Sequence, residues 1–453
     1  MLLDSFRVPG VYSRPRHRAA GFPRVRTDVA GFAGVAGPSR LGEAVRVEDW
    51  KGYVEAFLRG PDGSAIEPPL GAQLASTVRD FFANGGRRCW IVNIARRIDP
   101  GRPQELLNEM LGLGDPDTVH GLELLLRQEE VSIVVLPELD ATIVAEEPAY
   151  TGDPGPPDPC FRPCRAAQRG AIPGEQRPGP REVLGRLYRD DDLMWAQRYL
   201  INRLLQTRWR WFAILSPPPG RDPSQATAWR ERLTQAMGNC DVAALYWPWL
   251  LTQDSPGAPV ETRSPVGAVA GIFARVDLER GPHTAPANES LYGVVGLERP
   301  VPDEVNGDVY ERGVNVLRAF PGIGSQVWGA RTLLWQGRDS RGEPLAYVSA
   351  RRCLSAIART AEQLGQQMVF EPNTAMLRIR IHQTMTDYLL QVFERGALLG
   401  DEAEDAFFVR CDQPAADEGE VLCEIGVALA APAEFVAFRL GRADGVIEIE
   451  EAA

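Results

Sequence analysis

The chain has 453 residues, of which 44% are hydrophobic and 24% are charged, a composition typical of a globular protein with roughly two to four domains. The formal net charge of −12 argues against a general nucleic-acid binder, because binding to phosphates needs clustered positive charge. Nearly all of the positive charge is arginine, since Lys51 is the single lysine. Any chemistry that needs a lysine would therefore have to use that residue.

The sequence predicts neither a membrane span nor a signal peptide. No stretch of about 18 apolar residues occurs, so no membrane span is expected. The first ten residues contain Asp4 and a helix-breaking Pro9, which predicts that they are not a signal peptide. The seven cysteines are odd in number and widely spread, which favours a reduced, cytoplasmic compartment.

The first hundred residues predict an arm followed by an α/β unit. Residues 1–26 are rich in arginine and proline and predict an extended arm. Small residues in 27–37 predict a closely packed strand. Residues 72–84 have helical spacing of apolar side chains and end at Gly85, and the apolar run 89–94 predicts a buried strand.

The middle of the chain is less regular. Nine prolines lie between residues 148 and 180, which predicts a surface loop or insertion. The remaining predicted elements here are a strand in 131–139, a helix in 184–205, a strand in 210–220 and an apolar segment in 242–251 that is broken at Pro248.

The last third has the clearest patterns. Helical spacing predicts helices in 349–364 and in the stretch 371–400, and alternation or apolar runs predict strands in 367–370, 407–411, 421–429 and 434–440. The tail after Gly445 alternates isoleucine and glutamate, which predicts an edge strand without an obvious partner inside the chain.

One glycine-rich segment raises the question of a phosphate site. Residues 321–325 read Pro-Gly-Ile-Gly-Ser. A P-loop needs a lysine before its hydroxyl residue, and a dinucleotide fingerprint needs a third glycine where Val327 stands. The segment therefore predicts a glycine turn between strands.

Other catalytic or metal-binding patterns are also missing. The four histidines are far apart, and Cys160 and Cys164 have no second Cys/His pair nearby, so we interpret them as an incidental pair in a loop. No Gly-x-Ser-x-Gly motif is present, and the acidic run 190–192 predicts the solvated start of a helix. We therefore expect no catalytic, cofactor-binding or metal site. By elimination, the sequence favours a binding or structural role.

Several longer stretches resemble the contractile tail sheath protein family, which covers myophage tails, R-type pyocins and extracellular contractile injection systems. In chain order they are VPGVY (8–12), TDVAGFAGVAGPSRLGEAVRVEDWKGYVEAF (27–57), VRDFFANGGRRCWIVNI (78–94), GAVAGIFARVDLERGPHTAPANESLYGVVGLE (267–298), GVNVLRAFPGIGSQVWGARTL (313–333), QMVFEPN (367–373), AFFVRCD (406–412) and PAEFVAFRL (432–440). The resemblance covers residues 1–95 and 240–440 and is weak between about 100 and 240.

The resemblance implies an α/β fold class, with mixed sheets flanked by helices, in a multi-domain subunit with extended terminal arms. The predicted divisions are an N-terminal arm (1–26), the first part of a core domain (27–100), a middle or outer domain with the insertion (101–295), a C-terminal core sheath domain (296–440) and a C-terminal arm (441–453).

The resemblance also implies the function and the partners. Family subunits stack as six-membered rings around a rigid tube and contract from a metastable extended state. The implied partners are neighbouring sheath subunits, the inner tube protein, and baseplate and tail-terminator or cap proteins, without nucleic acid, cofactor or membrane insertion. The implied place is cytoplasmic assembly within a phage tail or a tail-like particle that can be released. The alternatives are a minor sheath paralogue at the baseplate or tail end, and an enzyme with an unrecognised site.

The resemblance finally implies which residues join subunits, because arms of this family add strands to neighbouring sheets. The inter-subunit residues of the N-terminal arm are Val8, Val11, Tyr12 and Val25. Those of the C-terminal strands are Phe435, Val436, Phe438, Leu440, Ile447 and Ile449. We predict that Arg378, Arg380 and His382, on the polar side of a helix, face an acidic tube; a merely solvated basic face is the alternative.

Overall fold

A computed structural model describes residues 25–114, 118–146, 181–207, 210–253, 258–372, 374–412, 421–434, 438–443 and 446–451. The predicted insertion 148–180, with Cys160 and Cys164, therefore lies outside the described residues. The described helices are α1 (Trp50–Phe57), α2 (Leu74–Ala83), α3 (Pro103–Leu111), α4 (Gly121–Leu126), α5 (Asp190–Leu205), α6 (Pro223–Thr234), α7 (Val266–Glu279), α8 (Asp303–Glu311), α9 (Val348–Gln366), α10 (Ala375–Glu394) and α11 (Ala403–Ala406).

The described strands alternate with these helices through most of the chain. They are β1 (Ala30–Gly34), β2 (Ala44–Val47), β3 (Cys89–Asn93), β4 (Ile133–Val135), β5 (Thr142–Glu146), β6 (Arg181–Arg186), β7 (Phe212–Leu215), β8 (Ala243–Trp247), β9 (Leu250–Thr252), β10 (Glu261–Arg263), β11 (Glu289–Ser290), β12 (Val294–Leu297), β13 (Asn315–Phe320), β14 (Gly324–Val327), β15 (Phe407–Asp412), β16 (Leu422–Val427), β17 (Phe438–Ala443) and β18 (Val446–Glu451).

A nine-stranded mixed sheet forms the centre of the molecule. Its order is β11-β14-β13-β8-β7-β4-β1-β3-β2. The six strands from β13 to β3 run parallel, and β2 and the β14–β11 pair add antiparallel edges. The parallel strands are apolar runs because helices cover both of their faces. The predicted α/β class, with a mixed sheet flanked by helices, is confirmed.

Two hydrophobic cores lie on opposite faces of this sheet. One face packs against α3, α4, α5, α6 and α8, and the other against α1, α2 and α7. The small residues of β1 allow α4 to pack closely on the sheet, since a Cβ on Gly31 would lie 2.7 Å from the Leu125 side chain. Likewise, Cβ atoms on Gly267 and Gly271 of α7 would lie 2.4 Å from the carbonyl oxygens of Thr77 and Phe81 on α2. Glycines at this four-residue spacing therefore let α7 pack directly on the backbone of α2.

A third core lies in the C-terminal part, where α9 and α10 pack with the β15–β16 hairpin. Ile357 and Leu364 of α9 and Met385 and Leu389 of α10 are buried in it. The helical interpretation of the stretch that begins at residue 371 is confirmed, because its apolar residues recur at three to four positions over a length that only a helix accommodates.

Three predicted elements differ from the structure. Residues 367–370, predicted as a strand, form a turn after α9, with Phe370 at φ +70°. A pattern of only four apolar-rich residues is too short to distinguish a strand from a turn. The helix predicted for 184–205 begins at Asp190, and β6 precedes it and pairs with β5. The strand predicted for 434–440 is β17, which begins at Phe438 and runs to Ala443.

The sheet draws strands from three of the predicted divisions. Strands β1–β3 lie in 27–100, β4, β7, β8 and β11 lie in 101–295, and β13 and β14 lie in 296–440. The division of the chain into domains remains a prediction.

Candidate assembly site at the roots of the two arms

The Pro-Gly-Ile-Gly-Ser segment is the turn of a β-hairpin. Phe320 of β13 pairs with Gly324 of β14, and Gly322 and Gly324 have φ values of +77° and +98°. These are left-handed backbone conformations that favour glycine. The prediction of a glycine turn between strands is confirmed.

The described part of the chain shows no constellation of the kind that enzymes use for metal chemistry. Among the described residues, no group of three or more His, Cys, Asp or Glu side chains is placed to hold a metal ion. The described helices include none with the length and apolar content needed to cross a membrane. Lys51, the single lysine, is 83% exposed on α1 and lies 3.8 Å from Glu55. The acidic run 190–192 is the first turn of α5, as predicted.

Buried arginine side chains contact Arg26, Thr27 and Glu434, which lie next to the two predicted arms. We call residues 25–28 the N-terminal root. The carbonyl oxygen of Arg26 accepts a 3.0 Å hydrogen bond from Nη1 of Arg359, and that of Thr27 accepts a 2.7 Å hydrogen bond from Nη2 of Arg352. The hydroxyl of Ser132 also donates to the Thr27 carbonyl. Two arginines of α9 therefore hold the backbone of this root.

Both arginines are buried and have further partners. Nη1 and Nη2 of Arg352 lie 2.7 and 2.8 Å from the carboxylate oxygens of Asp277 on α7, and these side chains are 5% and 1% exposed. Burial raises the pKa of Asp277 to about 6 although Arg352 acts in the opposite direction. Arg359 donates from Nη2 to the carbonyl of Glu129 at 2.6 Å, and burial lowers its pKa to about 10. The root is thus tied to two helices and to the loop before β4.

The C-terminal root, residues 431–434, is held through a side chain. The carboxylate of Glu434 accepts hydrogen bonds from Nε and Nη2 of Arg331 at 3.0 and 2.5 Å, and a further one from the hydroxyl of Tyr310. Arg331 is 0% exposed, and its guanidinium carbon lies 3.7 Å from the ring centre of Tyr310 and 3.4 Å from that of Trp335. Burial raises the pKa of the Tyr310 hydroxyl well above its ordinary value. We call Arg331, Glu434, Tyr310 and Trp335 the arginine clamp.

The C-terminal strands form a hairpin of their own. β17 pairs antiparallel with β18, and Leu440 lies opposite Ile449 while Arg442 lies opposite Ile447. Phe438 lies opposite Glu451 at the open end. The expectation that the tail strand has no partner inside the chain is therefore wrong, because the preceding strand folds back onto it. The predicted Phe435 and Val436 lie outside the described residues.

The N-terminal candidates are only partly described. Val8, Val11 and Tyr12 lie outside the described residues, and Val25 is the first described residue and is half-buried. Their role in joining subunits stays a prediction.

The three predicted tube-facing residues share one helix, α10. Leu377, Met385 and Leu389 are its buried residues. Arg380 and His382 are exposed, and Arg378 is partly buried. Arg380 also forms an ion pair with Glu371 in the turn before the helix. The structure thus places all three on one element, but the ion pair reduces the positive charge that Arg380 offers.

An apolar groove of about 550 Å³ lies beside α10, between the end of α9 and β16. Its lining includes Ile381, Met385 and Ile425, and the exposed side chains of Val369 and Leu422. Phe370, which also lines the groove, is fully exposed. Apolar side chains left open in this way mark a surface suited to a partner.

One pair of cysteines departs from the expected reduced state. Cys411 of β15 and Cys423 of β16 lie opposite each other and are joined by a disulfide. The sequence did not predict it because the twelve-residue separation carries no local signal. Cys89, Cys240 and Cys353 are free and buried.

The residues of both roots that sequence reasoning missed are mainly buried arginines. Arg331, Arg352 and Arg359 have partners that are far away in the chain, so no local pattern predicts their contacts. The available signal was the stretch 349–364, in which Arg351 and Arg352 interrupt the apolar face of a helix. Two adjacent arginines on an apolar helix face indicate that each is buried with an acidic partner from elsewhere in the chain.

Comparison with known proteins gives a family assignment. The family model described as the phage tail sheath protein central domain matches residues 195–333, and the one described as the phage tail sheath C-terminal domain matches residues 340–441. Together they cover more than half of the chain. A tail sheath protein of Burkholderia phage BcepMu is 28% identical over 200 residues, which is 42% of this chain and 41% of that protein. The alignment thus spans less than half the length of this curated relative.

Solved structures share the fold over nearly the whole chain. A chain from the contracted baseplate of the anti-feeding prophage aligns with a TM-score of 0.65 at 24% identity, covering 96% of this chain and 99% of that one. A chain of the contracted PVC sheath complex, from an extracellular contractile injection system, aligns with a TM-score of 0.62 at 22% identity, covering 96% and 98%. A sheath tail protein from Desulfitobacterium hafniense gives 0.51 at 10% identity, covering 93% and 100%.

These matches define the class of fold first: the fold is shared with chains of the PVC contractile injection system and of the anti-feeding prophage. The sequence matches then specify the family within that class. The chain belongs to the phage tail sheath protein family.

Proposed function

We propose that this chain is a structural subunit that polymerises as stacked hexameric rings around an inner tube and contracts to drive the tube through a target envelope. The observation that carries the proposal is the family match over residues 195–333 and 340–441, on a fold shared over 96% of the chain. The chain itself works without catalysis, cofactor or nucleic acid, and assembles in the cytoplasm into a tail or tail-like particle.

Strand exchange between neighbours is the proposed means of assembly. An isolated two-stranded hairpin is only marginally stable in water, and β17 and β18 each pair with one strand among the described residues. Their outer edges can accept a strand from another subunit by β-augmentation. The N-terminal residues Val8, Val11, Tyr12 and Val25 are the proposed donors, and Phe435 and Val436 extend the C-terminal contact.

Contraction draws on energy stored in the extended lattice. The extended state is metastable and is held by a kinetic barrier. A change of a few kcal/mol at each interface suffices, because many subunits add their changes. The arms keep subunits linked while their bodies rotate and repack.

The proposed contacts along the axis involve α10. Its polar side, with Arg378, Arg380 and His382, faces an acidic inner tube, and the same sheath meets the baseplate at one end and a terminator or cap protein at the other. The support is that all three residues lie on one helix and that Arg380 and His382 are exposed on it.

Charge reversal tests the tube contact. We expect Arg378→Glu combined with Arg380→Glu to abolish co-sedimentation with the tube protein, while the control Arg127→Glu, at an exposed site after α4, leaves it intact. Unchanged co-sedimentation of the double variant would show that this side of α10 is simply solvated.

Electron microscopy tests the function itself. The purified chain is imaged by negative stain alone and with the tube protein of its own particle. The proposal predicts hollow striated cylinders whose yield rises with protein concentration and does not depend on nucleotide. Assembly only at a baseplate would identify a minor paralogue, and compact monomers under all conditions would contradict a sheath role.

A further inference from the structure

The arginine clamp connects the C-terminal root to the body through one ion pair. Glu434 reaches Arg331 with both carboxylate oxygens, which is the two-pronged geometry that makes such pairs strong and directional. The side chain of Glu434 is only 12% exposed. A pair shielded from water in this way is weakened little by salt.

Two aromatic rings fix the guanidinium between them. The Tyr310 and Trp335 ring centres lie within 4 Å of the guanidinium carbon of Arg331, close enough for strong cation–π attraction in a desolvated site. Nη1 of Arg331 donates to the carbonyl of Tyr310 at 2.8 Å. The planar group is held on its faces and its edge, which a lysine ammonium could not reproduce.

The backbone around Arg331 joins the clamp to the central sheet. The N–H of Arg331 donates to Oδ1 of Asn315 on β13 at 2.7 Å, and Nδ2 of Asn315 donates back to the Arg331 carbonyl at 2.8 Å. Two residues on, the N–H of Leu333 donates to the carbonyl of Ala243 on β8 at 2.9 Å. The clamp is therefore continuous with two strands of the sheet.

We propose that the Arg331–Glu434 pair is the anchor that fixes where the C-terminal arm leaves the body and transmits pulling force from that arm into the central sheet. The inference rests on the proposed function, because an arm shared between subunits is loaded when the sheath contracts. Glu434 is a positioning residue in this account, and it immediately precedes the segment that leads to β17.

The two roots differ in how they are held. Backbone carbonyls hold the N-terminal root, so substitution of Arg26 or Thr27 leaves the acceptors in place. The C-terminal root depends on the carboxylate of Glu434, so a single side-chain change releases it. This difference makes the anchor testable in the unassembled chain.

Hydrogen exchange measured by mass spectrometry on the full chain tests the anchor directly. The variant Glu434→Gln keeps the shape of the side chain but removes its charge, and Glu279→Gln makes the same change at an exposed site at the end of α7. The amide of Ala430 donates to the carbonyl of Ala397 at 3.2 Å. Its protection against hydrogen exchange therefore reports whether release of the C-terminal root unfolds the neighbouring backbone.

We expect Glu434→Gln to speed exchange in peptides covering 428–434 by at least ~10-fold, with no change in peptides from β1 or β4. Glu279→Gln should match the wild type throughout. The variant Arg331→Lys should also speed exchange in peptides covering 428–434, because lysine keeps the positive charge but cannot form the two parallel hydrogen bonds to the Glu434 carboxylate. Exchange at 428–434 that stays within twofold of the wild type in Glu434→Gln would overturn the proposal.

A second measurement separates this inference from the proposed function. Cylinders of wild type and Glu434→Gln are sheared by brief sonication, and intact lengths are scored by negative stain. We expect shorter fragments for Glu434→Gln at equal assembly yield, and equal lengths would overturn the force-transmitting role. A wild type that forms no cylinders would contradict the sheath function, while the exchange result would still decide whether Glu434 anchors the root.

Discussion

Arg352 of α9 and Asp277 of α7 form a buried two-pronged ion pair that also secures the start of the described chain. The same Nη2 atom that lies 2.8 Å from Asp277 lies 2.7 Å from the carbonyl oxygen of Thr27. One guanidinium therefore joins two helices to the N-terminal root.

Removing one partner of this pair should be strongly destabilising. We expect Arg352→Met to lower the free energy of unfolding by about 3–5 kcal/mol, because it leaves the buried Asp277 carboxylate without its arginine partner and removes one of the two donors to the Thr27 carbonyl. The double variant Arg352→Met/Asp277→Asn should lose less than the single one. Urea unfolding of four proteins, the wild type, Arg352→Met, Asp277→Asn and the double variant, measures this. A double variant as unstable as the sum of the two single changes would contradict a direct coupling.

A fully buried carboxyl, Glu138, predicts a pH dependence. Its oxygens accept hydrogen bonds from the backbone N–H groups of Val35, Gln73 and Leu74 at 3.0–3.1 Å, yet burial raises its pKa to about 7. Since the folded pKa lies above the ordinary value of 4.5, the stabilisation is complete below pH 4.5 and is lost as pH rises through 7.

Comparison of the wild type with Glu138→Gln isolates this effect. From pH 5 to pH 8, the free energy of unfolding of the wild type should fall by about 2 kcal/mol relative to the variant. Asp222, the partly exposed N-cap of α6, provides a control of opposite sign, because hydrogen bonds from Ser224 and Gln225 lower its pKa. The variant Asp222→Asn should therefore be less stable than the wild type at neutral pH, and this difference in the free energy of unfolding should shrink as pH falls. A pH-independent difference for Glu138→Gln would contradict the assignment.

Two glycines with the same backbone conformation predict very different tolerance to alanine. Gly71 and Gly322 have φ values of +76° and +77°, but a Cβ on Gly71 would lie 2.0 Å from the carbonyl oxygen of Thr142, while one on Gly322 meets nothing within 4 Å. We expect Gly322→Ala to cost about 1 kcal/mol from the left-handed conformation alone. Gly71→Ala should cost roughly 3 kcal/mol or more, because backbone must move. Equal melting temperatures for the two variants would contradict this.

The disulfide predicts a specific alkylation pattern. Trypsin releases Cys411 and Cys423 together in peptide 411–439, which contains no internal lysine or arginine. After denaturation without reductant, this peptide should take up no alkylating reagent, and after reduction it should take up two equivalents. Loss of the bond, by Cys411→Ser, should lower stability of the C-terminal part by about 2–4 kcal/mol. Alkylation at both cysteines without reductant would show that the thiols are reduced.

The sequence predicted elements with strong local patterns and missed those defined by distant contacts. The strand–helix–strand unit at β1, α2 and β3 and the long helices α9 and α10 follow from apolar periodicity and glycine caps. The turn at Phe370 was missed because four residues do not distinguish a strand from a turn. The pairing of β17 with β18 was missed because each strand, taken alone, has the pattern of an edge.

The candidate site illustrates the same limit. Arm residues were predicted through resemblance to a family, whereas the groups that hold the arms emerged only from the structure. Arg331 and Glu434 are 103 residues apart, and neither has a local sequence pattern that distinguishes it from a solvated charge. Only the fold brings them together and removes them from water.

Electron microscopy of arm deletions tests whether exchanged terminal arms join subunits into a sheath. The full chain, a variant lacking residues 1–20 and a variant lacking residues 441–453 are each mixed with the tube protein and imaged. Circular dichroism verifies that the truncated chains keep their folded bodies. We expect striated cylinders for the full chain and folded but unassembled subunits for both deletions. Cylinders of normal length and number from either deletion would contradict it.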